Sequence, residues 1–357
     1  MTAHQNTRTA NVVGLGLIGG SVASALRSKN WRVFGSDVDS ATAERALVEG
    51  VVSELGVATD ADVTFVAVPV TSSIEVVGEM LRTTSGLVTD VGSVKAPLCE
   101  AVSHPRFVGG HPMAGSELEG LDGADPQMFD GAIWVLTPGR DVDDDNFSMI
   151  AALIRELGSE VVALDPGEHD RLVAVVSHLP HLTAASLMSL AQDRSEEHAS
   201  LLRLAAGGFR DMTRIASGSP RIWIDICREN RVAILEAIDD LNSALSSVRS
   251  FIAGDERSAL ESMLQKARES RANLPGRVTD PASLSEVRIR IPDRTGAAAE
   301  VFTLAAELGV NIANFEVVHL AEGNRGVAVV LVDSAVVEMF RGGLIARGFR
   351  PTVSALT

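Results

Sequence analysis

Residues Ala10–Arg27 read ANVVGLGLIGGSVASALR. A short apolar strand, Ala10–Val13, enters Gly14-Leu15-Gly16-Leu17-Ile18-Gly19, and a helix-forming run from Ser21 to Arg27 follows at once. Strand, GxGxxG turn and helix in that order form a phosphate-binding corner. Gly14 makes the tight turn, Gly16 lets backbone approach a pyrophosphate, and Gly19 allows close packing of helix on strand. Leu17 and Ile18 belong to the same cofactor-binding turn, and the phosphates are expected on the N-terminus of the helix behind it, whose free N–H groups and dipole favour anions. A second strand, Arg32–Gly35, leads to Asp37, eighteen residues past Gly19. A carboxylate there accepts hydrogen bonds from the adenosine ribose and repels a 2′-phosphate, so the expected cofactor is NAD in preference to NADP.

Strand and helix signals then alternate. Val63–Val68 is a continuous apolar run that ends at Pro69, after which Ser72 or Ser73 is expected to cap a helix from Ile74 to Leu81. Leu87–Asp90 opens into Val91-Gly92-Ser93-Val94-Lys95, and Phe107–Gly109 delivers His111 in the loop GGHPMAGSE. Ile133–Leu136, a helix near Phe147–Leu157 and Val161–Leu164 complete the pattern. Such alternation predicts a Rossmann-type doubly wound parallel sheet. Its strand ends gather Gly14–Gly19, Val68, Pro69, Ser93 and His111 at one edge, with His111 just past its strand and stiffened by Pro112. Ser93 also reads simply as a helix N-cap.

From Pro166 the strand signals stop. The helical run beginning at His169 carries Ser177-His178-Leu179-Pro180-His181, and Pro180 is expected to kink it. His178 and His181 share a helix face, but no further ligand pattern accompanies them, so no metal is expected. Arg210, Arg214 and Arg221 lie within twelve residues and form the densest cationic cluster of the chain. A guanidinium grips a carboxylate with two parallel hydrogen bonds. Ile234, Ile238, Leu241, Leu245, Val248 and Ile252 make an apolar stripe on a long helix, expected to serve a homodimer. Arg271–Ser283 has a linker composition, and the strands and helices after it form a βαββαβ unit. Three domains result: 8–166 binding a dinucleotide, 167–273 helical for substrate and dimerisation, and 284–357 small.

A formal net charge of −16 argues against nucleic acid or an anionic membrane surface as partner. Two cysteines and a polar N-terminus without a signal-peptide core fit a reducing cytoplasm.

With GLGLIGGS, VTDVGSVK, GGHPMAGSE, SHLPH and GGFRDMTRIASGSPRIW in that order, the chain resembles the prephenate/arogenate dehydrogenases of tyrosine biosynthesis. Its last seventy or so residues look like an ACT domain, on Pro292–Gly296 and Leu308–Ile312. The resemblance implies NAD-dependent oxidative decarboxylation of prephenate to 4-hydroxyphenylpyruvate, or of arogenate to tyrosine. It makes His111 the acceptor of the C4 hydroxyl proton and Ser93 the residue that orients hydroxyl and histidine. Arg214 becomes the ligand of a substrate carboxylate, with His181 and Glu117 lining the pocket and His178, His169 and Trp223 as weaker candidates. It also implies tyrosine as an effector at the ACT-like domain. A different class of reading is a non-catalytic NAD-dependent sensor of an amino acid.

Overall fold

The computed structural model describes residues 7–116, 118–197, 201–273, 284–292, 296–319 and 325–355. Two compact units divide the chain, Met1–Val248 and Arg249–Thr357.

The first unit begins with β1 (Thr9–Val13), α1 (Leu17–Ser28), β2 (Arg32–Ser36), α2 (Ser40–Val48), the two-residue β3 (Glu54–Leu55), β4 (Val63–Val66), α3 (Val70–Thr83) and β5 (Leu87–Asp90). It continues with α4 (Ala96–Ala101), β6 (Phe107–Pro112), β7 (Ile133–Pro138), α5 (Asp144–Glu156) and β8 (Glu160–Ala163). The eight strands form one sheet in the order β3-β2-β1-β4-β5-β6-β7-β8. Apolar strand runs are buried on both faces here, around Phe65, Phe129 and Trp134, with the Phe129 and Trp134 rings 5.0 Å apart. The order reverses between β1 and β4, which opens the crevice beyond the carboxyl ends of those strands.

Three expectations need correction. The sheet is not wholly parallel, because β6 pairs with β7 antiparallel. A parallel return needs a crossover helix. Between these strands the described residues hold only a 3₁₀ turn, Gly120–Gly123, so the chain comes back reversed. Second, β6 does not stop at Gly109. Strand β7 offers it partners as far as His111↔Val135 and Pro112↔Trp134, so His111 belongs to a strand and not to a loop. Third, α3 starts directly after Pro69, whose fixed φ leads into the helix, and Ser73 Oγ donates back to the Val70 carbonyl at 2.7 Å instead of capping.

Helices α6 (Pro166–Val173), α7 (Leu179–Glu197), α8 (Gly207–Thr213), α9 (Pro220–Glu229) and α10 (Arg231–Ala253) follow. A π turn, Ala174–His178, joins α6 to α7, and Leu179 N–H reaches back to the Ala174 carbonyl. This turn redirects the hydrogen-bond ladder just ahead of Pro180, which has no N–H to contribute. Helix α9 packs on α3, and α7 packs on the 3₁₀ turn Arg214–Ser217. Along α10, Ile234 is buried, but Leu245 and Ile252 are exposed.

The second unit holds α11 (Arg257–Ala272), then β9 (Leu284–Pro292), α12 (Ala297–Glu307), β10 (Ile312–His319), β11 (Arg325–Asp333), α13 (Val337–Ala346) and β12 (Pro351–Ala355). Helix α11 includes Arg271 and Ala272, so the expected linker starts later; its residues 274–283 lie outside those described. The four strands form an antiparallel sheet ordered β10-β11-β9-β12. Val287 and Ile289 point into a core with Val301, Val330, Phe340 and Leu344, while Arg288 and Arg290 between and beyond them are exposed.

Candidate active site

Each glycine of the corner after β1 has its own reason. Gly14 adopts φ +91°, and a Cβ there would lie 2.3 Å from the Ala67 carbonyl oxygen. A Cβ on Gly19 would strike the Gly14 carbonyl at 1.9 Å, whereas one on Gly16 would meet open space. Open space over Gly16, at the N-terminus of α1, is where a pyrophosphate fits. Val68 and Pro69 follow β4, the neighbour of β1, and Leu17 and Ile18 begin α1. Asp37 Oδ2 accepts from Leu15 N–H at 2.7 Å and Oδ1 from Asp39 N–H at 2.9 Å. Two carboxylate oxygens offer about four acceptor positions, so Asp37 can hold the turn and still receive ribose hydroxyls. The corner thus fits a dinucleotide.

The second half of the site is a buried chain of hydrogen bonds. His111, on the part of β6 that runs beyond β5, places Nδ1 2.8 Å from His169 Nε2. His169 Nδ1 lies 2.8 Å from Asp170 Oδ1. The Asp170 carboxylate also receives the N–H groups of Lys95 and Ala96, both at 2.8 Å, and so caps α4 from across the fold. That is the cap once expected from Ser93, which lies half-buried in the loop before it. The Asp170 carbonyl accepts from Asn230 Nδ2 at 2.8 Å, and that amide nitrogen also lies 3.2 Å from His178 Nδ1. A carbonyl can only accept, so the amide nitrogen faces it, and its second hydrogen goes to His178 Nδ1. The proton of His178 then sits on Nε2, a buried atom without a partner among the described residues. His178 meets Trp223 edge to face, and Trp223 stacks on His181 at 3.6 Å.

Burial drives His111 well below its ordinary value of 6.5, with Lys95 and the neighbouring histidines acting in the same direction. Burial also pushes His178 down to about 4, and it lowers His181. All three rings are neutral at pH 7, so His111 is able to accept a proton.

Below the ring, Lys95 Nζ is fully buried, paired with the Asp90 carboxylate and donating to the Gly110 carbonyl at 2.9 Å. Asp90 also accepts from Gly92 N–H at 2.9 Å and Gly110 N–H at 3.0 Å. Hence one ion pair fixes the backbone immediately before both Ser93 and His111. Gly110 has no room for a side chain, since a Cβ would approach the Asp90 carbonyl oxygen to 2.7 Å.

His111, His169, His178, His181 and Trp223 are therefore brought together. Arg214 opens the 3₁₀ turn packed on α7 and is exposed, as are Arg210 and Arg221. Glu117 lies outside the described residues. Sequence reasoning missed Asp90, Lys95, Asp170 and Asn230. A signal was present for two of them: charged residues inside apolar stretches, which are seldom fully buried unless paired.

A family model described as the nucleotide-binding domain of prephenate dehydrogenase matches residues 22–163, and one described as its dimerization domain matches residues 165–266. The chain belongs to the prephenate dehydrogenase family. A prephenate dehydrogenase of Bacillus subtilis is 31% identical over 349 residues, covering 93% of this chain and 94% of that protein. Among solved structures of the family, the Aquifex aeolicus prephenate dehydrogenase, in complex with hydroxyphenyl propionate and NAD+, aligns with a TM-score of 0.71 at 28% identity. It covers 76% of this chain and is itself covered completely. Synechocystis arogenate dehydrogenase aligns with a TM-score of 0.64 at 30% identity, covering 74% of this chain and 98% of its own.

Proposed function

We propose that this chain is an NAD-dependent prephenate dehydrogenase that converts prephenate to 4-hydroxyphenylpyruvate and carbon dioxide. The carrying observation is a buried His111, hydrogen-bonded to His169, on the same sheet whose glycine corner fits a dinucleotide. When bound, NAD supplies the acceptor for the hydride from C4. His111 takes the C4 hydroxyl proton, Ser93 orients that hydroxyl, and loss of the ring carboxylate makes the step downhill by aromatisation. Arg214 holds a substrate carboxylate, and His181 and His178 line the pocket, the Nε2–H of His178 being free to donate to a ligand. Asp37 selects NAD over NADP.

Formation of NADH followed at 340 nm with prephenate and with arogenate tests this reading. Prephenate is expected to be the better substrate. His111→Asn should leave NAD binding intact and lower kcat about 10²–10⁴-fold, the usual worth of a general base. Full turnover in that variant would remove the assignment. The likeness to an arogenate dehydrogenase makes arogenate the second substrate to assay.

A homodimer is part of the reading, supported by the dimerization-domain match and by exposed Leu172, Val175, Val176 and Leu190 on α6, the π turn and α7. The helical run Pro166–Ser195 is by length and composition apolar enough to cross a membrane. Its exposed apolar face is assigned to the second subunit, since His169, Asp170 and His178 are hydrogen-bonded within the fold. The β9–β12 unit is read as an ACT-like domain that binds tyrosine; its βαββαβ order and the left-handed Gly296 before α12 support this. Asp293–Thr295 of that turn lie outside the described residues. Tyrosine should inhibit without competing with prephenate; purely competitive inhibition would place it at His111 instead. A cytoplasmic location accords with two free cysteines.

A further inference from the structure

We propose that His169 and Asp170 are positioning residues that hold His111 as its Nδ1–H tautomer, leaving the Nε2 lone pair for the substrate hydroxyl. The proposal rests on His111 being the base.

Directions of donation along the chain support it. Two backbone N–H groups, of Lys95 and Ala96, point at the Asp170 carboxylate and can only donate, so the carboxylate is an acceptor throughout. His169 Nδ1, 2.8 Å from Oδ1, therefore carries a proton. Its Nε2 is an acceptor provided the ring is neutral. His169 is completely buried, and the same interior already contains the Lys95 ammonium, whose charge Asp90 balances. The Asp170 charge is already met by the two α4 N–H groups, so a single proton, on Nδ1, satisfies the ring between that carboxylate and His111. The 2.8 Å contact is then His111 Nδ1–H donating to His169 Nε2. Asp170 is itself pinned from two directions, by the α4 N–H groups and by Asn230 at its carbonyl.

In the reaction the hydroxyl O–H bond breaks and its proton goes to His111 Nε2. The imidazolium keeps its Nδ1–H on His169, with the Asp170 charge behind it. An oriented imidazole backed by a buried carboxylate is the logic by which hydrolases prepare their histidine. Here a second imidazole stands between base and carboxylate. The charged or titratable groups around His111 are His169, His178 and Lys95, with Asp90 and Asp170 as the neighbouring carboxylates.

The test uses full-length enzyme labelled with 15N in its eight histidines, with His111 assigned from the signal lost in His111→Asn. The wild type should show His111 protonated at Nδ1. His169→Leu should abolish that signature and lower kcat by at least about 10-fold, up to the 10²–10⁴-fold worth of the base itself. KM values for substrate and NAD should stay within about 2-fold, since neither is bound through this contact. The acidic limb of the kcat profile should move to lower pH, because the imidazolium has lost its acceptor. His169→Gln presents an amide oxygen near the old Nε2 position and should restore part of the lost kcat. An Nε2–H tautomer of His111 in the wild type overturns the proposal, whether or not His169→Leu folds. So does a folded His169→Leu enzyme with wild-type kcat and pH profile. Wild-type turnover in His111→Asn would instead remove His111 as the base, a separate failure.

Discussion

Replacing Lys95 with Met should destabilise the first unit severely while sparing the dinucleotide corner. The Lys95 side chain is 0% exposed and that of Asp90 1%, so the substitution strands a carboxylate in the interior. Asp90 keeps the N–H groups of Gly92 and Gly110, but the Gly110 carbonyl loses its 2.9 Å donor. Removing one partner of a buried pair costs about 3–5 kcal/mol. In a folding unit of this size, 1 kcal/mol moves Tm by roughly 2–4 °C, so a fall of about 6–20 °C is expected. Differential scanning calorimetry at pH 7 reads it directly. The double variant Asp90→Asn/Lys95→Met, which removes both charges, should recover more than half of the loss. kcat should fall in the single variant as well, because the pair braces the residues before Ser93 and His111. A single variant melting within 2 °C of wild type would refute the view that this pair braces the site.

Asp37→Asn keeps an acceptor for Leu15 N–H but removes the charge, so it should improve the use of NADP relative to NAD; a wild type that already prefers NADP contradicts that reading. Arg214→Ala should raise the KM for prephenate about 10- to 10²-fold with kcat little changed, as loss of a charged hydrogen bond made before and during the reaction requires. An unchanged KM would move the carboxylate to Arg210 or Arg221. His178 titrates at about 4 in the fold against 6.5 ordinarily, so below pH 6.5 the unfolded chain takes a proton that the native state refuses. Stability should therefore fall on acidification, by about 2 kcal/mol between pH 6.5 and pH 5 from this ring. Urea midpoints at pH 7 and pH 5 check this, and His178→Gln should show a smaller difference between them.

The dinucleotide corner was readable from residues alone because its determinants are local: Gly14, Gly16 and Gly19 act within one turn, and Asp37 ends the next strand. Strand positions likewise followed from apolar runs that a buried sheet demands. Strand direction did not, because the reversal of β7 depends on what connects it to β6, and that connection carries no periodic signal. Lys95 and Asp90 stand out as charges inside apolar stretches, but which partner each meets is set only by the fold. Asp170 lies seventy-five residues from Lys95, whose N–H it accepts, a pairing that no local pattern announces. His178 and His181 were visible as a helical pair, but the aromatic wall that joins them, Trp223, comes from another helix.

The π turn between α6 and α7 makes the length of that segment matter more than its composition. A regular helix advances about 100° per residue, so nine residues would leave His178 half a turn away from His169, on the opposite side. Both rings are nevertheless buried and belong to one hydrogen-bonded chain through Asp170 and Asn230. Widening one turn to i→i+5 sets the helix phase back by roughly one residue, which reconciles the two faces. Val175 and Val176 lie inside that widened turn. Deleting either one would let the helix close up as a regular α-helix and swing His178 and His181 by about 100° away from His111. The segment thus behaves as a spacer set to a rotation angle, and a change of one residue in its length would part His111 from His178 and His181.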